Sequence, residues 1–148
     1  MLFRSAFALA SVIAMGDGPQ DVVLSDFDHN GRLDLATANL FGQSASVRLG
    51  FPGGGFAAEQ RYELPFGGAV IDAADVDEDG WQDLVLAPLA TLRGTGAGRF
   101  AFARAYATPG SAWTVTPRDY DGDGDVDLAA PCAGARSRPI TLLRNRLR

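Results

Sequence analysis

The sequence predicts an all-β protein made of repeated four-stranded antiparallel units, and three observations predict it. An acidic string containing glycine occurs three times, at 26–35, 75–84 and 119–128, with starts 49 and then 44 residues apart. Short apolar runs of strand length flank each copy. Eighteen glycines and eight prolines supply the turns such a chain needs, while 47% hydrophobic content argues against disorder. A period in the forties marks a repeat architecture in which each unit is one supersecondary module.

Taken in order, the chain opens with the apolar run 6–15 behind Arg4. Phe7 lies 19 residues before Asp26, as Phe56 lies 19 before Asp75 and Phe100 lies 19 before Asp119. That register makes 7–12 an orphan outer strand, although a short signal-peptide core has similar composition. The first full unit, 20–63, reads as strands at about 20–26, 33–39, 45–50 and 56–63, with Pro52-Gly53-Gly54-Gly55 as the last turn. The second, 69–107, reads as strands at about 69–75, 82–88, 90–94 and 100–107, with Gly94-Thr95-Gly96-Ala97-Gly98 at the matching turn. The third, 112–145, supplies strands at about 112–119, 126–131 and 139–145 and lacks an outer strand. The whole of 1–148 is therefore read as a single repeat domain, with the first strand complementary to the gap in the last unit.

Each acidic string joins two strands. Counting from its first aspartate, positions 1, 3, 5 and 9 are Asp26, Asp28, Asn30 and Asp34 in the first loop. They are Asp75, Asp77, Asp79 and Asp83 in the second, and Asp119, Asp121, Asp123 and Asp127 in the third. So many carboxylates in ten residues repel one another by several kcal/mol at an effective dielectric near ~20. A cation relieves that repulsion, and a donor set of oxygens without sulfur or imidazole selects Ca²⁺. Position 6 is glycine in every copy, which permits a sharp turn. The backbone carbonyls of position 7, at Arg32, Trp81 and Asp125, add a neutral oxygen to each set. The position-9 aspartates are expected to reach the metal as the second strand begins. Position 12, where an EF-hand needs a bidentate glutamate, is Thr37, Leu86 or Ala130, so the EF-hand reading fails. The first loop has one carboxylate fewer and is expected to be the weakest of about three calcium sites.

Charge belongs to these sites more than to a surface field. The formal charge is −5, and eleven of the fifteen aspartates occupy ligand positions, so three Ca²⁺ would bring the sum to +1. All thirteen positive side chains are arginines. Those at 136, 138, 144, 146 and 148 make a basic end, read as a solvated terminus or subunit contact. A nucleic-acid surface would add aromatic stacking residues to these arginines and a basic overall balance, and neither is evident, so no nucleic-acid partner is expected. The apolar run at 6–15 is too short to span a bilayer, so no membrane insertion is expected. Cys132 is the sole cysteine and His29 the sole histidine. His29 is expected to point to solvent at position 4 of its loop, and with no lysine available a nucleophile with its general base is not evident. Nothing catalytic is predicted.

Strand, D-x-D-x-[DN]-G-x-x-D-L, strand, at this period, resembles the FG-GAP or VCBS repeat, the calcium-binding blade of integrin-α-like β-propellers. The resemblance covers roughly residues 7–145. It implies four-stranded blades around an axis, with Ca²⁺ in the loop between the first two strands of each blade. Rings usually have about four to eight blades, so three blades imply a homodimer closing six, a piece of a longer propeller or, third, a partly open three-blade monomer. An extracellular or cell-surface module that binds a protein or glycan is the expectation, with a purely structural repeat as its rival and an accessory role in a lyase or hydrolase behind both. Trp81, Trp113 and Tyr120 are the aromatic faces available to a sugar, against packing of Trp113 within a blade and Trp81 over its own loop.

Overall fold

The computed structural model describes residues 11–134 and 139–146. Among them there is no helix, and the strands form three antiparallel sheets. The first has the order β1 (Pro19–Ser25), β2 (Asp34–Asn39), β3 (Ser44–Arg48) and β4 (Gln60–Glu63). The second repeats it with β5 (Val70–Ala74), β6 (Asp83–Ala87), β7 (Ala90–Gly94) and β8 (Phe100–Ala105). In the third, β9 (Ser111–Ala112) and β10 (Thr116–Arg118) both pair with β11 (Asp127–Ala133), which also pairs with β12 (Ile140–Leu143).

Two strands differ from expectation for local reasons. β4 begins at Gln60 because the chain after the 51–55 turn keeps only an isolated bridge between Gly50 and Phe56 and a bond from Ala57 N–H to Leu49 O. The strand expected at 112–119 is split into β9 and β10. Its partner β11 carries Pro131, which has no N–H to offer a ladder, and Trp113 N–H instead reaches Pro131 O at 3.3 Å. Of the outer strand expected over 7–12, residues 7–10 lie outside the described residues, and Ser11 and Val12 are not in a strand.

Period-two alternation makes the second sheet the centre of the molecule. Leu84, Leu86 and Leu92 pack toward the first sheet with Ala36, Ala38, Ala45 and Val47, whereas Val85 and Leu89 pack toward the third with Leu128, Ala130 and Cys132. Leu84, Leu86, Leu89 and Leu92 are fully buried, each stabilising by about 1.5–3 kcal/mol. The first strands lie side by side, β1 next to β5 and β5 next to β10. Asp21 ties the first two by accepting from Ile71 N–H at 3.0 Å.

The two outermost faces differ. On the first sheet, Asn39, Ser44 and Ser46 are buried away from the second sheet. Asn39 Nδ2 donates to Ser44 Oγ at 3.1 Å and to Ser46 Oγ at 2.8 Å, Thr37 Oγ1 donates to Asn39 Oδ1, and Ser46 donates to Glu59. Residues 16–18 lie over this network. A Cβ on Gly16 would fall 2.4 Å from Asn39 Nδ2, and Leu40 and Gly42 donate to the carbonyls of Gly18 and Asp17. The far face of the third sheet is apolar and open, with Trp113 at 70%, Ile140 at 68% and Leu142 at 59% exposure. Trp113 therefore does not pack within its sheet, contrary to the structural expectation for it.

Candidate functional site

All three acidic loops adopt one backbone design. Position 4 has positive φ in each, at His29 (56°), Glu78 (58°) and Gly122 (80°), and so does position 6, at Gly31 (79°), Gly80 (90°) and Gly124 (98°). A Cβ on Gly31 or Gly80 would meet nothing within 4 Å, so glycine is needed there for its dihedral and not for space. Two reversals in three residues fold the loop back on itself and turn the odd-numbered side chains inward.

Hydrogen bonds hold that shape identically in the three copies. The position-1 carboxylate accepts from the position-6 glycine N–H: Asp26 from Gly31 at 2.7 Å, Asp75 from Gly80 at 2.9 Å and Asp119 from Gly124 at 3.1 Å. The position-5 side chain accepts from the position-7 N–H: Asn30 from Arg32 at 2.9 Å, Asp79 from Trp81 at 2.9 Å and Asp123 from Asp125 at 3.0 Å. Position 5 is thus turned toward its own loop backbone. These are short-range side-chain turns, so asparagine serves there as well as aspartate.

Position 9 does more than sequence reasoning assigned to it. Asp34, Asp83 and Asp127 are buried, at 0%, 2% and 2% exposure. One oxygen of each accepts from the position-2 N–H, of Phe27 at 2.8 Å, Val76 at 2.9 Å and Tyr120 at 3.2 Å. The other accepts from a residue at or just past the end of the third strand, Gly50 at 2.8 Å, Gly94 at 2.7 Å and Asn145 at 2.7 Å. Each is therefore a clamp joining loop, second strand and third strand. The close approach demands a minimal side chain at two of these ends, since a Cβ on Gly50 or Gly94 would sit 2.4 or 2.5 Å from a carbonyl oxygen. The donors Gly50, Gly94 and Asn145 share no motif, so the sequence carried no signal for this second partner.

Oxygens from positions 1, 3 and 9 converge. In each loop one carboxylate oxygen from Asp26, Asp28 and Asp34, from Asp75, Asp77 and Asp83, or from Asp119, Asp121 and Asp127 lies within 4.8 Å of the other two. Of the residues expected to bind metal, Asp79 and Asp123 lie outside these groups, and Asn30 shares their backbone-directed conformation. Three anionic oxygens so close suit one hard cation. Asp75 Oδ1 adds an independent sign, being buried without a hydrogen-bond partner, a state that normally costs about 1–3 kcal/mol.

Charge states carry the same tension. Burial pushes the Asp83 carboxyl up to about 6, with Asp77 and Asp79 adding to the rise against bonds from Gly94 and Val76. Burial likewise raises Asp34 against the bonds from Gly50 and Phe27, with Asp28 and Asp26 adding to the rise. Desolvation also pushes Asp26 up, but the N–H groups of Gly31 and Asn30, together with Asp28 and His29, outweigh it and leave its pKa lowered.

The loops are joined to their neighbours. His29 of the first stacks on Trp81 of the second, with centroids 4.3 Å apart and planes 19° from parallel. His29 is exposed yet not free in solvent, and the Trp81 ring lies against the first loop and beside Gly96 of the 94–98 turn. The position-2 carbonyls repeat a second joint: Phe27 O accepts from Gly98 N–H at 3.2 Å, and Val76 O accepts from Asn145 Nδ2 at 2.6 Å. The basic end is also engaged, since Arg144 pairs with Asp121 at 3.5 Å, while 136, 138 and 148 lie outside the described residues. No protein-family model matches this chain, and no curated protein matches it significantly.

Proposed function

We propose that the chain is a non-enzymatic calcium-binding module whose three sheets are blades of an FG-GAP or VCBS-type β-propeller, working outside the cell or at its surface. The observation that carries this reading is the threefold convergence of position-1, position-3 and position-9 oxygens within 4.8 Å. The side chains of positions 1, 3 and 9 would hold the ions, with the position-7 carbonyl adding a neutral oxygen. Such an ion supplies positive charge that relieves the carboxylates and takes up the stranded Asp75 oxygen.

Binding of a protein or glycan is the task this module is proposed to serve, through loops braced along one side by the His29–Trp81 stack. A glycan array and a cell-surface pull-down, each run in millimolar calcium and in chelator, test it. Calcium-dependent capture supports the binding role, and no capture in either condition removes it. The structural alternative, assembly into a longer propeller or a dimer, is favoured by the open apolar face of Trp113, Ile140 and Leu142. Residues at 129 and 142 stand in the register of Ala36 with Val47 and of Val85 with Thr91, which are covered in the first two sheets. A sedimentation mass of twice the 15.6 kDa chain, reduced to one chain by Leu142→Arg, supports assembly through that face. One chain mass at millimolar calcium for both proteins removes it.

A further inference from the structure

The three loops differ in one charge that the ligand pattern does not contain. Asp77 of the second loop pairs with Arg93 at 3.6 Å, and Asp121 of the third pairs with Arg144 at 3.5 Å. Strand register puts these arginines at one equivalent position. Leu84 faces Leu92 and Leu128 faces Leu143, so Arg93 and Arg144 each follow the residue opposite the leucine next to the position-9 aspartate. In the first sheet Leu35 faces Arg48, and the equivalent residue is Leu49. Leu49 is partly buried against the core between the first two sheets. Among the described residues, no salt bridge reaches Asp26, Asp28 or Asp34.

The geometry points to Arg93 and Arg144 as built-in counter-cations that share the position-3 carboxylates with the metal, so that the first loop takes Ca²⁺ most tightly. This rests on the calcium reading above and reverses the ranking that a count of carboxylates implies. Asn30 costs the first loop little, because position 5 is turned to the position-7 N–H in every copy and stands outside the convergent group in the other two. The group that remains is three aspartates in each loop. Two of these groups carry a guanidinium on their position-3 member, and a divalent ion arriving there meets that positive charge. The same pairs hold the second and third loops together when metal is scarce. Arginine and metal then act alternately at one carboxylate, and the first loop depends on the metal alone.

Arg93 and Arg144 are at least half exposed, so their removal leaves the core intact and the effect is modest, about threefold to tenfold in affinity per site. The test is a calcium titration of ¹⁵N-glycine-labelled full chain followed by NMR. The amides of Gly31, Gly80 and Gly124 each donate to a position-1 carboxylate and report one loop apiece. Expected is saturation of Gly31 first, with Arg93→Gln tightening the Gly80 transition alone and Arg144→Gln the Gly124 transition alone. Calcium binding at all three loops with Gly31 last, or with Gly80 and Gly124 unmoved by the arginine variants, overturns this inference and leaves the calcium reading standing. No calcium response at any of the three glycines overturns both.

Discussion

Replacing Asp34 with alanine tests whether position 9 is first a clamp or first a metal ligand. The wild-type carboxylate accepts from two backbone N–H groups, Phe27 at 2.8 Å and Gly50 at 2.8 Å, and is fully buried. Hydrogen bonds to a charged group are worth about 1.5–3 kcal/mol each, and both donors would be stranded. Against about 3–6 kcal/mol of loss stands some relief, because Asp34 is itself desolvated and repelled by Asp28 and Asp26. A net loss of about 2–4 kcal/mol follows, large beside a total domain stability of about 5–15 kcal/mol. By contrast Asn30→Ala removes one half-buried turn bond and should cost only about 0.5–1 kcal/mol. Urea unfolding in chelator, with the midpoint and slope fitted for each protein, reads the difference without metal. If Asp34→Ala matches wild type in chelator within about 0.5 kcal/mol and loses stability only in calcium, the clamp argument is refuted and position 9 acts through the ion.

Other predictions follow the same geometry. Asp83 holds its proton more tightly folded than unfolded, with a pKa of about 6 against 3.8. In metal-free protein its contribution is therefore full below pH 3.8 and is lost as pH rises through 6. The full difference is worth up to about 3 kcal/mol, and about half of that after solvent screening. Unfolding at pH 5 and pH 7 in chelator should show wild type gaining stability at the lower pH relative to Asp83→Asn, and the opposite order would contradict the assignment. Gly80→Ala should cost about 1–2 kcal/mol, because its φ of 90° penalises a side chain although space is free. Glu78→Gly at φ 58° should cost less than about 0.5 kcal/mol or stabilise slightly. Equal losses for Gly80→Ala and Glu78→Gly in thermal unfolding would argue against the loop dihedrals.

Much of the site was legible because its grammar is local. The spacing of aspartates 1, 3 and 9 fixes which side chains converge once glycine at position 6 reverses the chain, and all three lie within nine residues. The second partner of position 9 was hidden for the opposite reason. Gly50, Gly94 and Asn145 lie 16, 11 and 18 residues beyond their aspartates, at distances set by loop and turn lengths that no fixed motif encodes. The left-handed residues at position 4 were equally silent, since His29 and Glu78 carry no compositional mark of positive φ. Among the strands, the apolar run Leu84-Val85-Leu86-Ala87 announced a strand, whereas the break between β9 and β10 depended on Pro131 in a partner strand. The buried network of Asn39, Ser44 and Ser46 could not be foreseen, because polar residues at strand positions ordinarily mark a solvated face and here one is covered by residues 16–18.

The central claim is that three like-built loops each hold one calcium ion. Isothermal titration of the chelator-treated chain with CaCl₂ measures it directly, with affinities expected near about 0.1 mM for sites of an extracellular kind. At millimolar calcium such sites stabilise by about 1.4 kcal/mol each, so a calcium-dependent rise in unfolding midpoint should accompany the heat. A stoichiometry of three is expected, falling to two in Asp75→Ala. No saturable heat, or a stoichiometry unchanged by removing that position-1 aspartate, would contradict it.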